Sequence, residues 1–244
     1  MLGLGAGITK SKVKRNTYAV FDGTDDFITV PDNNALSFSP DPGFGLSMWL
    51  NLNSGNHGIL VKNQEYILHV RSDGDITFIC VDDSNDKKNR LIANDSFVFN
   101  QWVHLIVEFS DAYTPGGSAT KPRIFQNNSS PSQASTLDAE FSEMENTTND
   151  LIIGKTNLSV GGDTTTGALT FLNGAMTNLH IYTGILTDAE RSNVYNAGKD
   201  GNFSNIVDNT IVASYLLTSD LNDSSGNGHN GSSGSGQSPI FTTV

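Results

Sequence analysis

The chain has 244 residues, 36% of them hydrophobic, with 24 glycines and a formal net charge of −12. That balance excludes a surface built as a whole for nucleic acid or an anionic membrane, and no apolar run is long enough to cross a bilayer as a helix. Cys80 is the only cysteine, which excludes an intrachain disulfide. The length suits one large all-β domain better than two small ones.

Residues 1–16 read as an arm, glycine-rich first and then basic. Lys10, Lys12, Lys14 and Arg15 give the first fifteen residues a charge of +4, which leaves −16 on the remainder. A basic arm on an acidic body predicts docking onto an acidic neighbour, another copy of the chain included. A solvated, frayed terminus is the plain alternative. Lys10, Lys12 and Lys14 also alternate with Ser11 and Val13, as an added edge strand would. Leu2–Ile8 is too short and glycine-rich for a signal-peptide core, so synthesis in the cytoplasm without an export signal is expected. The glycosylation patterns at Asn94, Asn128, Asn146 and Asn157 are then chance matches.

From Tyr18 the pattern is strand after strand. Tyr18–Phe21 and Phe27–Val30 flank Asp22-Gly-Thr-Asp-Asp26, a turn rich in residues that tolerate positive φ or bond their own backbone. Phe44–Leu52 alternates, with Phe44, Leu46, Met48, Leu50 and Leu52 on one face and Gly45, Ser47, Trp49 and Asn51 on the other. The same logic turns Val103, Leu105, Val107 and Phe109 inward, opposite Trp102, His104, Ile106 and Glu108. Further strands are predicted at 58–61, 66–71, 76–81, 121–126, 151–153, 169–171 and 178–182, with Cys80 as a small core hydrophobe. Polar stretches at 82–90, 111–120, 127–150 and 155–167 are longer than a turn requires and read as binding surface or variable decoration. One helix is predicted: Thr187-Asp-Ala-Glu190 forms a capping box and Gly198 a left-handed stop. In the tail, Ile211–Leu217 reads as a strand. Asn222–Gly231 and an apolar end from Pro239 follow, and together they predict an ordered hairpin with a wide turn.

Four pieces in this order resemble the laminin-G-like domains of the concanavalin A-like lectin and glucanase superfamily, over residues 17–198. They are Phe21-Asp22-Gly23, the strand around Trp49, Gln101-Trp102 with His104, and Leu186 to Gly198. The resemblance implies an all-β, concanavalin A-like jelly-roll sandwich of two antiparallel sheets with one short helix. It departs from the family in the tail. The stretch Tyr215 to Gly228 is similar to a segment that opens many relatives, yet here it comes last. A circularly permuted sandwich is therefore expected, with residues 199–244 completing the fold of the same chain or of a neighbouring subunit.

The arrangement of arm and lectin-like domain also resembles structural proteins of tailed bacteriophages. That resemblance implies a non-enzymatic virion component, a capsid decoration or tail fibre, with virion proteins, its own copies and host-surface glycan as partners. A free-standing carbohydrate-binding module or adhesin is the alternative. Glycan contacts are expected from Trp49, His69, Trp102, His104, His180 and Tyr182, which fall on the less apolar faces of their strands. Packing beneath a loop or the helix is the competing expectation for the same rings. Structural calcium is expected from Asp22, Asp25 and Asp26, helped by Asn178, with simple turn capping as the alternative. Zinc is not expected, because the five histidines and one cysteine show no ligand spacing. The nearest approach to a glucanase carboxylate strand, Asp138 to Glu145 with Glu140 and Glu143, has the wrong spacing for retaining hydrolysis.

Overall fold

A strand that is apolar on one face must bury that face, and two such sheets solve the problem by packing on each other. The computed structural model describes residues 17–39, 41–83, 88–93, 97–110, 121–129, 134–137, 143–156, 170–207, 210–234 and 238–243. In the first sheet the described strands run β17 (Ile240–Thr243), β1 (Thr17–Asp22), β14 (Asn173–Thr183), β3 (Phe44–Leu52), β8 (Val103–Ser110) and β9 (Lys121–Gln126). β15 (Ile211–Tyr215) pairs with β14 as well. The second sheet runs β10 (Ala134–Leu137), β7 (Lys88–Ala93), β6 (Ile76–Val81), β5 (Tyr66–Val70), β4 (His57–Lys62), β11 (Leu151–Ile153), β2 (Ile28–Val30) and β16 (Ser232–Ser233). A short ladder of β12 (Lys155–Thr156) and β13 (Thr170–Phe171) lies against β4 at Gly58, where a side chain would strike the Thr156 backbone. The one described α-helix, α1, spans Asp188–Ala197.

The core lies between the sheets. Phe44, Leu46, Met48, Leu50 and Leu52 of β3 pack with Tyr66, Leu68 and Val70 of β5 and Phe78 and Cys80 of β6, all fully buried. The Phe44 ring is the hub, with the rings of Phe38 at 4.3 Å, Tyr66 at 5.5 Å, Phe78 at 6.1 Å and Phe109 at 6.2 Å. Each fully buried ring of this kind contributes about 1.5–3 kcal/mol over an exposed one. β8 is buried along its whole length, on both faces. Its outward side chain Ile106 joins Phe125 and Tyr182 beneath Leu186, Val194, Phe203 and Val207, contributed by α1 and its flanking turns.

Three stretches expected as loops carry strands or ordered pairing. Lys88–Ala93 and Ala134–Leu137 form the edge of the second sheet, and Lys155–Thr156 begins the short ladder. These strands escape a pattern search because β10 is a polar edge strand, β7 opens on the polar run Lys88-Asn89-Arg90, and β12 is only two residues long. β14 also begins five residues earlier than the predicted 178.

The tail is spread over both sheets and does not form a single hairpin: β15 joins β14, β16 joins β2 and β17 joins β1. β1 occupies the edge of β14 along residues 173–176, and β15 continues the same edge along 179–182. The hand-over falls at Asn178, which has φ 50° and where the register with β3 slips between Thr177 and His180. The wide turn at 222–231 is ordered by Asp223. Its carboxylate accepts from the backbone N–H groups of Ser214, Ser225 and His229 and from the Ser225 hydroxyl.

Candidate functional site

The outer face of the first sheet carries most of the residues singled out from the sequence. Strand alternation points Ser47, Trp49, His104, Ile106, Glu108, His180 and Tyr182 outward, and α1 crosses over them. Glu108, fully buried, anchors the crossing. Its carboxylate accepts from the Tyr182 hydroxyl at 3.0 Å, the Leu186 N–H at 2.7 Å and the Arg191 guanidinium at 3.3 Å. Arg191 also bonds the Leu186 carbonyl and Asp188 and stacks 4.3 Å over the Phe125 ring. Further along, the rings of His104, Trp49 and Tyr195 form a mutually stacked trio, and His104 Nε2 pairs with the Ser47 hydroxyl at 3.0 Å. His180 stacks 4.4 Å from Phe203, with its Nδ1 at 2.9 Å from the Ser214 hydroxyl.

These two histidine–serine pairs have the contact of a nucleophile and its base. Their electrostatics are wrong for the task. Burial lowers both imidazoles to about 3, helped in His180 by repulsion from His104. An imidazole so depressed is a poor proton acceptor at neutral pH, where a general base is poised near the working pH. The void beside them, bounded by Ser47, Trp49, His104, Asn178 and His180, is only about 10 Å³. It is too small for a sugar ring.

The six residues expected to share one glycan groove do not share a surface. Trp49, His104, His180 and Tyr182 come together, but under the helix. His69 lies on the other sheet, on the face where Ile67 packs with Val61 and Val81, and is 4% exposed. Trp102 lies apart from that cluster. Like Trp49 it is half-buried, and its ring meets the half-buried Tyr18 ring at 5.1 Å, edge to face. The Lys199 ammonium stands 5.7 Å over Trp102 and 6.0 Å over Tyr18. Tyr18 was missed in the sequence because an aromatic at the start of a strand carries no signal of its own. It lies in the Thr177–Trp49–His104 row only through pairing with β14 and β3.

The acidic turn is as compact as expected. Asp22, Asp25 and Asp26 each offer a carboxylate oxygen within 4.8 Å of the others. The capping bonds are present too: Asp22 Oδ1 accepts from the N–H groups of Thr24 and Asp25, and Asp26 Oδ2 from that of Asp22. Burial raises the Asp26 carboxyl above its ordinary range; the Asp22 N–H opposes this, and the charges of Asp22 and Asp25 add to it. A cation held by the three oxygens would relieve that repulsion, so the donor set fits a hard ion such as calcium. Asn178 is not part of the set. Its side-chain amide donates to the Lys199 and Gly201 carbonyls, tying the chain after α1 to the bulge in β14. Lys10, Lys12, Lys14 and Arg15 lie outside the described residues, as do Asp138 and Glu140.

Two larger hollows adjoin the tail. One of about 210 Å³ is bordered by His180, Ser214, Ser224 and Ser225. The other, about 580 Å³, lies at the rim among Asn33, Phe38, Thr183, Asn227 and His229.

A family model described as the concanavalin A-like lectin/glucanases superfamily, of the laminin G type, matches residues 22–190. The chain belongs to this superfamily. A search of curated protein sequences finds no match. Among solved structures, a candidate carbohydrate-binding protein from Bacteroides ovatus is similar over 93% of this chain, with TM-score 0.60 and 14% identity; the chain spans 60% of that protein's length. The CBM40 domain of the Ruminococcus gnavus IT-sialidase, bound to α2,3-sialyllactose, is similar over 73% of this chain and 97% of its own, with TM-score 0.50 and 10% identity. Tailspike protein 2 of the Escherichia coli O157:H7 bacteriophage CAB120 is matched over 82% of this chain and 30% of its own, at 10% identity. Its TM-score of 0.47 carries no argument. At these identities the likenesses establish the superfamily's two-sheet fold alone.

Proposed function

We propose that the protein is a non-enzymatic carbohydrate-binding module, with the Tyr18–Trp102 pair as its sugar platform. The observation that carries this reading is two half-buried rings on one sheet face with an ammonium above them. Aromatic faces stack on the apolar faces of sugar rings, and a neighbouring cation and amides bond hydroxyl groups or an acidic substituent. The superfamily supports the reading, as do the carbohydrate-linked names of the Bacteroides and Ruminococcus proteins. The depressed imidazoles of His104 and His180 support the non-enzymatic part. Of the two roles expected from the sequence, the free-standing module has the better support. The virion role has no such support, and its basic arm lies outside the described residues.

The test is a glycan array followed by calorimetry on the purified chain. One class of glycan should bind saturably, and Trp102→Ala should weaken it by about 1–3 kcal/mol, roughly five- to 150-fold, without loss of fold. Binding unaffected by both Trp102→Ala and Tyr18→Ala would remove the platform from the proposal.

A further inference from the structure

Lys62 ends β4 fully buried, and two carboxyl groups face its ammonium. Glu65, also fully buried, places Oε1 at 2.5 Å from Nζ. The same oxygen accepts from the Thr147 N–H and hydroxyl, each at 2.8 Å, so the carboxyl is held in one orientation. Its second oxygen is buried and accepts no hydrogen bond among the described residues. Asp32 brings Oδ1 to 2.8 Å from Nζ, yet among the described residues that buried oxygen accepts no hydrogen bond either. The amine is therefore in van der Waals reach of the Asp32 carboxyl group without being engaged to it by a hydrogen bond. Strand register explains the meeting. Leu151 of β11 pairs with Val30 on one side and Lys62 on the other, and Asp32, two residues past Val30, returns to the same face. The long lysine stem then crosses the width of β11.

Charges withdrawn from water are expensive to keep, and condensing one pair into a neutral amide removes both of them. We propose that Lys62 Nζ and Asp32 Cγ form an intramolecular amide bond, with Glu65 carrying the protons. Glu65 takes a proton from the ammonium, and the freed amine attacks the Asp32 carboxyl carbon. The carbon–oxygen bond then breaks, and the oxygen leaves as water with two protons that began on Nζ, one of them relayed by Glu65. Ammonium plus carboxylate becomes amide plus water; Glu65 ends as it began, and nothing is oxidised or reduced. The Asp32 side chain is 24% exposed, which gives the water a way out. The bond would join β2 and β4 across β11 in a chain whose single cysteine allows no disulfide. Neither the platform nor the acidic turn takes part.

Intact-mass spectrometry of the folded full chain tests this directly: the expected mass is one water below that of the sequence. Trypsin should then fail to cut at Lys62, giving a fragment that runs on to Arg71. Chymotrypsin, cutting at Phe38, Phe44 and Trp49, should leave the Asp32 and Lys62 peptides joined. A full sequence mass, or a water lost elsewhere with the two peptides separate, overturns the proposal. Glu65→Gln is expected to show the full mass; a Glu65→Gln chain still one water light would take the proton transfer away from Glu65. If that variant does not fold, the peptide map of the unaltered chain still decides.

Discussion

Glu108 and Arg191 tie α1 to the sheet through charges that have left water, and such a pair responds unequally to its two ends. Removing one partner strands the other, which in buried pairs costs about 3–5 kcal/mol. Arg191→Ala should therefore lower the free energy of unfolding by about 3 kcal/mol in a urea titration, less whatever solvent reaches the site through its 11% exposed side chain. His104 and His180 give the molecule a pH dependence of definite sign. Their folded values, about 3, lie below the 6.5 of the unfolded chain, so the unfolded state binds more protons as acid is added. The stability they allow is complete above pH 6.5 and is lost progressively toward pH 3. At pH 5 each histidine should have withdrawn about 2 kcal/mol relative to pH 7.5. His180→Phe should remove about half of that slope, as read from urea midpoints at the two pH values. Asp223 acts in the same direction at lower pH. Burial works against its ionisation, but hydrogen bonds from Ser225, Ser214 and His229 outweigh it and hold the carboxyl below its ordinary range. Its contribution is present above 3.8 and lost as pH falls through the folded value.

α1 and the acidic turn show how far local sequence reaches. The capping box of Thr187 and Glu190 forms as written, with Glu190 accepting from the Thr187 N–H at 2.8 Å and Thr187 from the Glu190 N–H at 3.2 Å. Capping is decided within four residues, so it is legible without a partner. The helix's destination is not legible, because nothing in Asp188–Ala197 states that Glu108, 83 residues before Arg191, receives its guanidinium. The turn between β1 and β2 is likewise readable in its acidity and its capping bonds, whereas Asn178 had no local sign of its place at the β14 bulge. If the turn holds calcium, millimolar calcium should raise the melting temperature by a few degrees, about 1 kcal/mol or more of linkage at saturation. Asp26→Asn should abolish that response while raising stability slightly in chelator, since it removes a buried charge that its neighbours repel. A calcium shift unchanged in the variant would place any ion elsewhere.

The tail decides whether the sandwich closes. β15, β16 and β17 add to three different strands, and Val212, Ala213, Tyr215 and Leu217 enter the central core. At about 1.5–3 kcal/mol for each large apolar side chain, their loss approaches the whole 5–15 kcal/mol of a typical domain. A chain ending at residue 207 should accordingly lack cooperative unfolding and near-ultraviolet circular dichroism; a sharp native-like transition would show that residues 17–207 suffice. The sequence by itself determined the two-sheet class, the inward faces of β3 and β8, the acidic turn and the capped helix. All of these rest on alternation and spacing between near neighbours, which strand and helix geometry convert directly into faces. Only the tertiary structure decided which outward aromatics stay open, because α1 and the following Phe203 cover His104 and His180, whereas Trp49 and Trp102 stay half-buried, Trp102 beside Tyr18. It alone brought Asp32 and Lys62 together and spread the tail over both sheets. Those outcomes depend on pairing between residues far apart in the chain, where many registers satisfy the same local pattern and packing selects one.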